Sequence, residues 1–92
     1  MTKDLISKII KGCGWSFDCS GGGQPYRFKK GNFYLLFNCK DSHDLSTAYN
    51  VSLTILIILE ELEYKQILNS EMPKDIIGLK GLIQYYTDLI KN

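Results

Sequence analysis

The 92-residue sequence has no charge excess, no dense set of cysteines, no long apolar run and a single histidine. Eleven basic residues against ten acidic ones leave a net charge of +1. Neither the basic surplus of a nucleic-acid binder nor the acidic surplus of a nucleic-acid mimic is present, so any charge argument is local. The three cysteines, Cys13, Cys19 and Cys39, are an odd number where a small secreted domain carries an even, disulfide-forming set. The opening Met1-Thr2-Lys3-Asp4-Leu5 places an acid where a signal peptide is basic, with no long apolar core behind it. The longest apolar run, Ile55 to Leu59, falls far short of the roughly 20 residues that span a bilayer. Together these absences predict a cytoplasmic protein with reduced thiols and no membrane segment. No repeat, low-complexity tract or linker interrupts the chain, so one domain is expected over residues 1–92.

What is present is an ordinary globular balance, 45% hydrophobic and 23% charged. A chain this short buries only about two-thirds of its unfolded surface, so its core must be thin. Thr2 can cap a helix running to about Lys11, with Leu5, Ile6, Ile9 and Ile10 on one stripe and Gly12 ending it. The period then changes to two. Trp15, Phe17 and Cys19 alternate with polar residues, which predicts a half-buried strand with those three facing the core. Gly21-Gly22-Gly23-Gln24-Pro25 reads as a loop.

Two further strands, Tyr26 to Lys30 and Phe33 to Cys39, flank Gly31-Asn32, a two-residue Gly-first hairpin turn. That turn sets the register: Lys30 faces Phe33, Lys29 faces Tyr34, Phe28 faces Leu35 and Arg27 faces Leu36. Phe28, Leu35, Phe37 and Cys39 then form the core face. Arg27, Lys29, Tyr34, Leu36 and Asn38 form the outer face. Residues 44–69 are expected as one long helix capped by Asp44, with Ala48, Val51, Ile55, Leu59 and Leu62 on its core side. The alternation Val51-Ser52-Leu53-Thr54-Ile55 is also compatible with a fourth strand. A last helix follows Pro73 and reaches about Lys91, with core stripe Ile76, Leu79, Ile83, Tyr86 and Ile90. The fold class expected is therefore α+β: one helix, a three-stranded antiparallel meander, then two helices, all three helices on one sheet face.

Four constellations bear on chemistry. Asp18-Cys19-Ser20-Gly21 resembles the signature of the NlpC/P60 cysteine peptidases, and that resemblance implies Cys19 as nucleophile at the start of a buried helix, with a histidine on a later strand as base. Here Gly22, Gly23 and Pro25 do not permit such a helix, and His43 follows a charged loop instead of the family's strand motif. Cys19 therefore reads as a small core-facing residue. Cys13, Cys19, Cys39 and His43 could ligate zinc, but the five residues between Cys13 and Cys19 exceed the usual two to four, so no metal and no cofactor is expected. Glu60, Glu61 and Glu63 read as a solvated face, with Glu61 and Lys65 one helical turn apart. Arg27, Lys29 and Tyr34, with Lys40 nearby, interleave basic and aromatic side chains in a way that can hold phosphates and stack bases. The order of elements is similar in layout to double-stranded-RNA-binding domains, but Ser42 to Thr47 lack the lysine cluster of that family.

Six tyrosines in so short a chain favour a binding surface, because tyrosine offers large rigid area and one hydroxyl. The expected function is a non-enzymatic protein-binding module, of the regulator, immunity-protein or inhibitor kind encoded by bacteria, phages and mobile elements. The order of elements also resembles some small anti-CRISPR proteins. Tyr34 and Leu36 are expected exposed at the centre of the outer sheet face, with Arg27 and Lys29 around them, and Tyr85 on the last helix is a second contact. The partner expected is a protein with an acidic, partly apolar surface. The alternative is nucleic-acid binding through the same face.

Overall fold

The computed structural model describes residues 1–58 and 61–91. Thr2 caps the first helix, α1 (Lys3–Gly12), its hydroxyl accepting from the Leu5 N–H at 3.2 Å. Ile6 and Ile10 are its buried residues. The left-handed residue that follows is Gly14, at φ +94°, so Gly12 belongs to the last turn and does not terminate it. Five strands come next: β1 (Ser16–Gly21), β2 (Gln24–Lys30), β3 (Phe33–Cys39), β4 (Ala48–Ile58) and β5 (Leu62–Glu71). They form one antiparallel sheet in chain order, every neighbour in sequence being a neighbour in space. The final helix, α2 (Ile76–Ile90), begins after Asp75, whose carboxylate accepts from the Gly78 N–H at 2.7 Å.

Among the described residues the fold is thus α+β with five strands and two helices, where three strands and three helices are expected from the sequence. The error lies in residues 44–69. Asp44 does cap, taking the Ser46 N–H at 3.0 Å and the Ser46 hydroxyl at 2.7 Å, but what it caps is one 3₁₀ turn, Leu45–Thr47. The same two bonds hold the Asp44 carboxyl below its ordinary value. At Ala48 the chain is extended, at ψ 134°, and pairing with β3 carries it through to Ile58. The strand reading of Val51 to Ile55 wins because β3 offers a ladder that an isolated helix cannot match. Val51 and Leu53 fill the core, while Ser52 and Thr54 are buried on the other face. Glu61 and Lys65 are accordingly strand-hairpin residues and not a helical pair. Leu59 and Glu60 lie outside the described residues.

The β2–β3 hairpin has the expected register throughout. Gly31 has φ +61° while, among the described residues, no non-glycine residue has positive φ, the pattern of a Gly-first turn. Gly31→Val should cost about 1–3 kcal/mol, because a β-branched residue is strained there although its Cβ would meet nothing. A urea midpoint measurement checks it. The stretch from Gly21 to Pro25 is also a hairpin and not an open loop: Gly21 pairs with Gln24 across Gly22 and Gly23, at φ +64° and +76°.

Phe28, Leu35, Phe37, Val51 and Leu53 from the sheet meet Ile6, Ile10, Trp15, Leu45, Leu79, Ile83 and Tyr86 in one core. Both helices thus cover the same sheet face. On α2, Leu79, Ile83 and Tyr86 are buried as expected, and Ile90 packs at the margin. Ile76, the first residue of α2, is exposed and does not join the core stripe expected of it. Among the described residues no helix is long and apolar enough to cross a membrane.

Candidate functional site

The sheet face turned away from the helices is where the sequence places a binding surface. The β2–β3 register puts Arg27, Lys29, Tyr34 and Leu36 there together. The structure changes what each can do. Tyr34, expected exposed, is only 5% accessible. No helix covers it. The Tyr64 ring stands edge-on at 5.5 Å, the Arg27 guanidinium lies 5.3 Å from its centre, and the Lys29 ammonium lies at 5.9 Å. Tyr34 is therefore packed into the floor of the face. Truncating it is expected to lower stability, where exposure would have left stability alone.

Tyr64 comes from β5, two strands beyond Tyr34, and its ring also sits 5.9 Å from Arg27 on β2. Tyr64 pairs with Leu56 on β4, two residues along from Thr54, the small residue opposite Tyr34. The face carries a hollow of about 440 Å³ lined by Cys19, Gln24, Pro25, Arg27, Leu36 and Tyr64. Leu36 is half-buried in its wall and Tyr64 is 49% exposed.

Arg27 is held from the β1 side. Its Nε donates to Asp18 Oδ2 at 2.5 Å. Burial alone would lower the Arg27 pKa, but the Asp18 hydrogen bond and charge, with smaller contributions from Cys19 and Tyr64, push it above its ordinary value. Asp18 reaches this position through an irregularity. Phe17 pairs with Phe28, but the next pair is Cys19 with Arg27, so one residue is extra on β1. That slip turns Cys19 out of the core series and onto the outer face beside Arg27. The expectation that Cys19 faces the core with Trp15 and Phe17 is corrected accordingly. Trp15 is buried, and Phe17 lies against the rings of Tyr26 and Phe28 at the sheet margin.

Tyr85 does not join this group. It is 55% exposed on α2, and α2 lies on the opposite side of the sheet. Lys40 is exposed beyond the end of β3. Sequence reasoning missed Tyr64 and Cys19 as members of the face. Tyr64 falls within the stretch expected to be helical, and it takes its place on the face from the pairing of Leu62–Glu71 with β4.

The thiols are free and separate. Among the described residues no three His, Cys, Asp or Glu side chains are grouped to hold a metal. Cys39 is half-buried against the core, which pushes its thiol up; the nearby Asp44 and Asp41 charges add to this, and a hydrogen bond with Thr47 opposes it. His43 lies over Gly21, where an added Cβ would meet its ring at 2.5 Å. Its role is packing the 41–47 loop onto the β1–β2 turn, which the Ser42 carbonyl also holds by accepting the Gly21 N–H at 3.0 Å. The melting temperature in reducing buffer should be the same with and without a chelator, as differential scanning fluorimetry would show.

No protein-family model matches the chain, and searches of curated proteins and of solved structures gave no match.

Proposed function

We propose that this chain is a non-enzymatic protein-binding module, and that the outer face of its sheet takes an apolar side chain from an acidic segment of a partner protein. One observation carries this reading: the hollow joins an apolar wall, Leu36 and Tyr64, to a fixed cation, Arg27. Tyr34, packed beneath Arg27, Lys29 and Tyr64, keeps these groups in place, so little ordering cost attends binding. Lys29 is exposed and has no ion-pair partner among the described residues, leaving it to steer an acidic partner. A regulator or inhibitor acts in this way, by occupying a surface and not by turnover.

The test is capture from host lysate on the immobilised chain, repeated with Leu36→Lys. A genuine partner is retained in stoichiometric amount by the wild type and lost by the variant, with the melting temperature nearly unchanged. Loss of Lys29 should slow association and flatten its dependence on salt, without a large effect on dissociation. Partner capture that survives Leu36→Lys removes this face from the proposal. Binding to DNA or RNA that weakens steeply with salt would replace it with the nucleic-acid reading.

A further inference from the structure

We propose that two copies of this chain pair antiparallel along β5, with Tyr64 on the two-fold axis and Glu63 of each copy against Lys65 of the other.

The sheet has two edges, and they are unlike. β1 is short, with six residues and two register shifts, features that blunt an edge. β5 has ten residues, contains neither glycine nor proline, and is exposed from Leu62 through Ile67. Its one irregularity falls at Ile67, since Leu68 pairs with Leu53 and Gln66 with Thr54. Residues 62–66 are therefore a regular, uncovered stretch, and Tyr64 is its midpoint.

The polar groups of that stretch point the right way. Leu56 donates its N–H to the Asn32 carbonyl at 2.8 Å, on the β3 side of β4. In an antiparallel ladder the N–H and C=O of one residue point to the same side and alternate along the strand. Leu56 therefore bonds away from β5, and its partner Tyr64 aims its own N–H and C=O away from β4. Leu62 and Gln66 do likewise. These are the residues an antiparallel copy would meet.

Charge then selects the register. With the two-fold axis normal to the sheet, residues on the same face stand opposite each other, so the axis passes through one residue. Centred on Glu63, the pairing opposes two carboxylates; centred on Lys65, it opposes two ammonium groups. Centred on Tyr64, it opposes Glu63 to Lys65 twice and Leu62 to Gln66 twice, with no like charges facing. The Glu63–Lys65 positions are then the non-hydrogen-bonded pairs, in which side chains approach most closely. Neither residue has an ion-pair partner among the described residues. The joined sheet would have ten strands.

Sedimentation velocity on the full chain, from micromolar to sub-millimolar concentration, should show a species of twice the 10.5 kDa chain mass. Lys65→Glu and Glu63→Lys should each raise the dimer dissociation constant by about tenfold or more, since each sets like charges opposite twice. Glu63→Lys combined with Lys65→Glu restores both pairs in reverse and should restore the dimer. Circular dichroism keeps folding separate from assembly, because both side chains are exposed. A wild-type chain that stays monomeric throughout overturns the proposal. So does a dimer indifferent to the single changes, or one that the double change fails to rescue.

Discussion

Phe28→Ala is expected to remove a large share of the protein's stability, about 3–5 kcal/mol. Phe28 is fully buried at the centre of β2. Its ring meets those of Phe17, Tyr26 and Phe37 at 5.9, 5.7 and 5.8 Å, and Leu35 stands directly across the hairpin. Removing it leaves a void that β-strand backbone cannot close, because the ladder on both sides fixes the strand position. Domains of this size hold only about 5–15 kcal/mol in total. Lys29→Ala, one residue on, turns the truncation to the outer face and should change stability by less than about 1 kcal/mol. Urea titrations of the two variants measure the contrast. Equal effects would mean that β2 is paired one residue out of this register.

Trp15→Ala should cost a similar amount, about 3–5 kcal/mol, through two separate losses. Trp15 is the only tryptophan and is 2% exposed. Its indole N–H donates to Thr87 Oγ1 at 2.9 Å, and that hydroxyl donates in turn to the Ile83 carbonyl at 2.6 Å. The pair ties the segment before β1 to the last turns of α2. Thr87→Val keeps the volume but leaves the buried N–H without an acceptor, which should cost about 1–3 kcal/mol. The emission of the single indole reports both states: blue-shifted when folded, red-shifted on unfolding. A Thr87→Val variant with unchanged midpoint would show that the bond adds nothing to stability.

Much of this fold was legible where local signals agreed with one another. Thr2 with its apolar stripe, and Gly31-Asn32 between two alternating runs, each point to one structure, and the register that follows from the turn is the one observed. The 44–69 stretch resembles a helix in sequence because Asp44 is a good cap and its apolar residues satisfy both periods. Only the ladder with β3 decides between them, and pairing over that distance leaves no local trace. The candidate face was half legible. Arg27, Lys29, Tyr34 and Leu36 do share a side of the sheet, yet the burial of Tyr34 depends on Tyr64, a residue 30 positions away. The position of Cys19 depends on one extra residue in β1, which alternation alone cannot reveal.

The sequential order of the strands has a consequence for synthesis. Each strand can pair with the one made just before it, so the sheet can be complete once Glu71 is available. Its apolar face then has only α1 and Leu45 over it, and Phe28, Leu35, Phe37 and Leu53 stay partly wet until Ile76–Ile90 arrive. A nascent chain stalled before α2 is therefore the species most prone to stick to its neighbours, and α2 is the segment whose arrival ends that exposure.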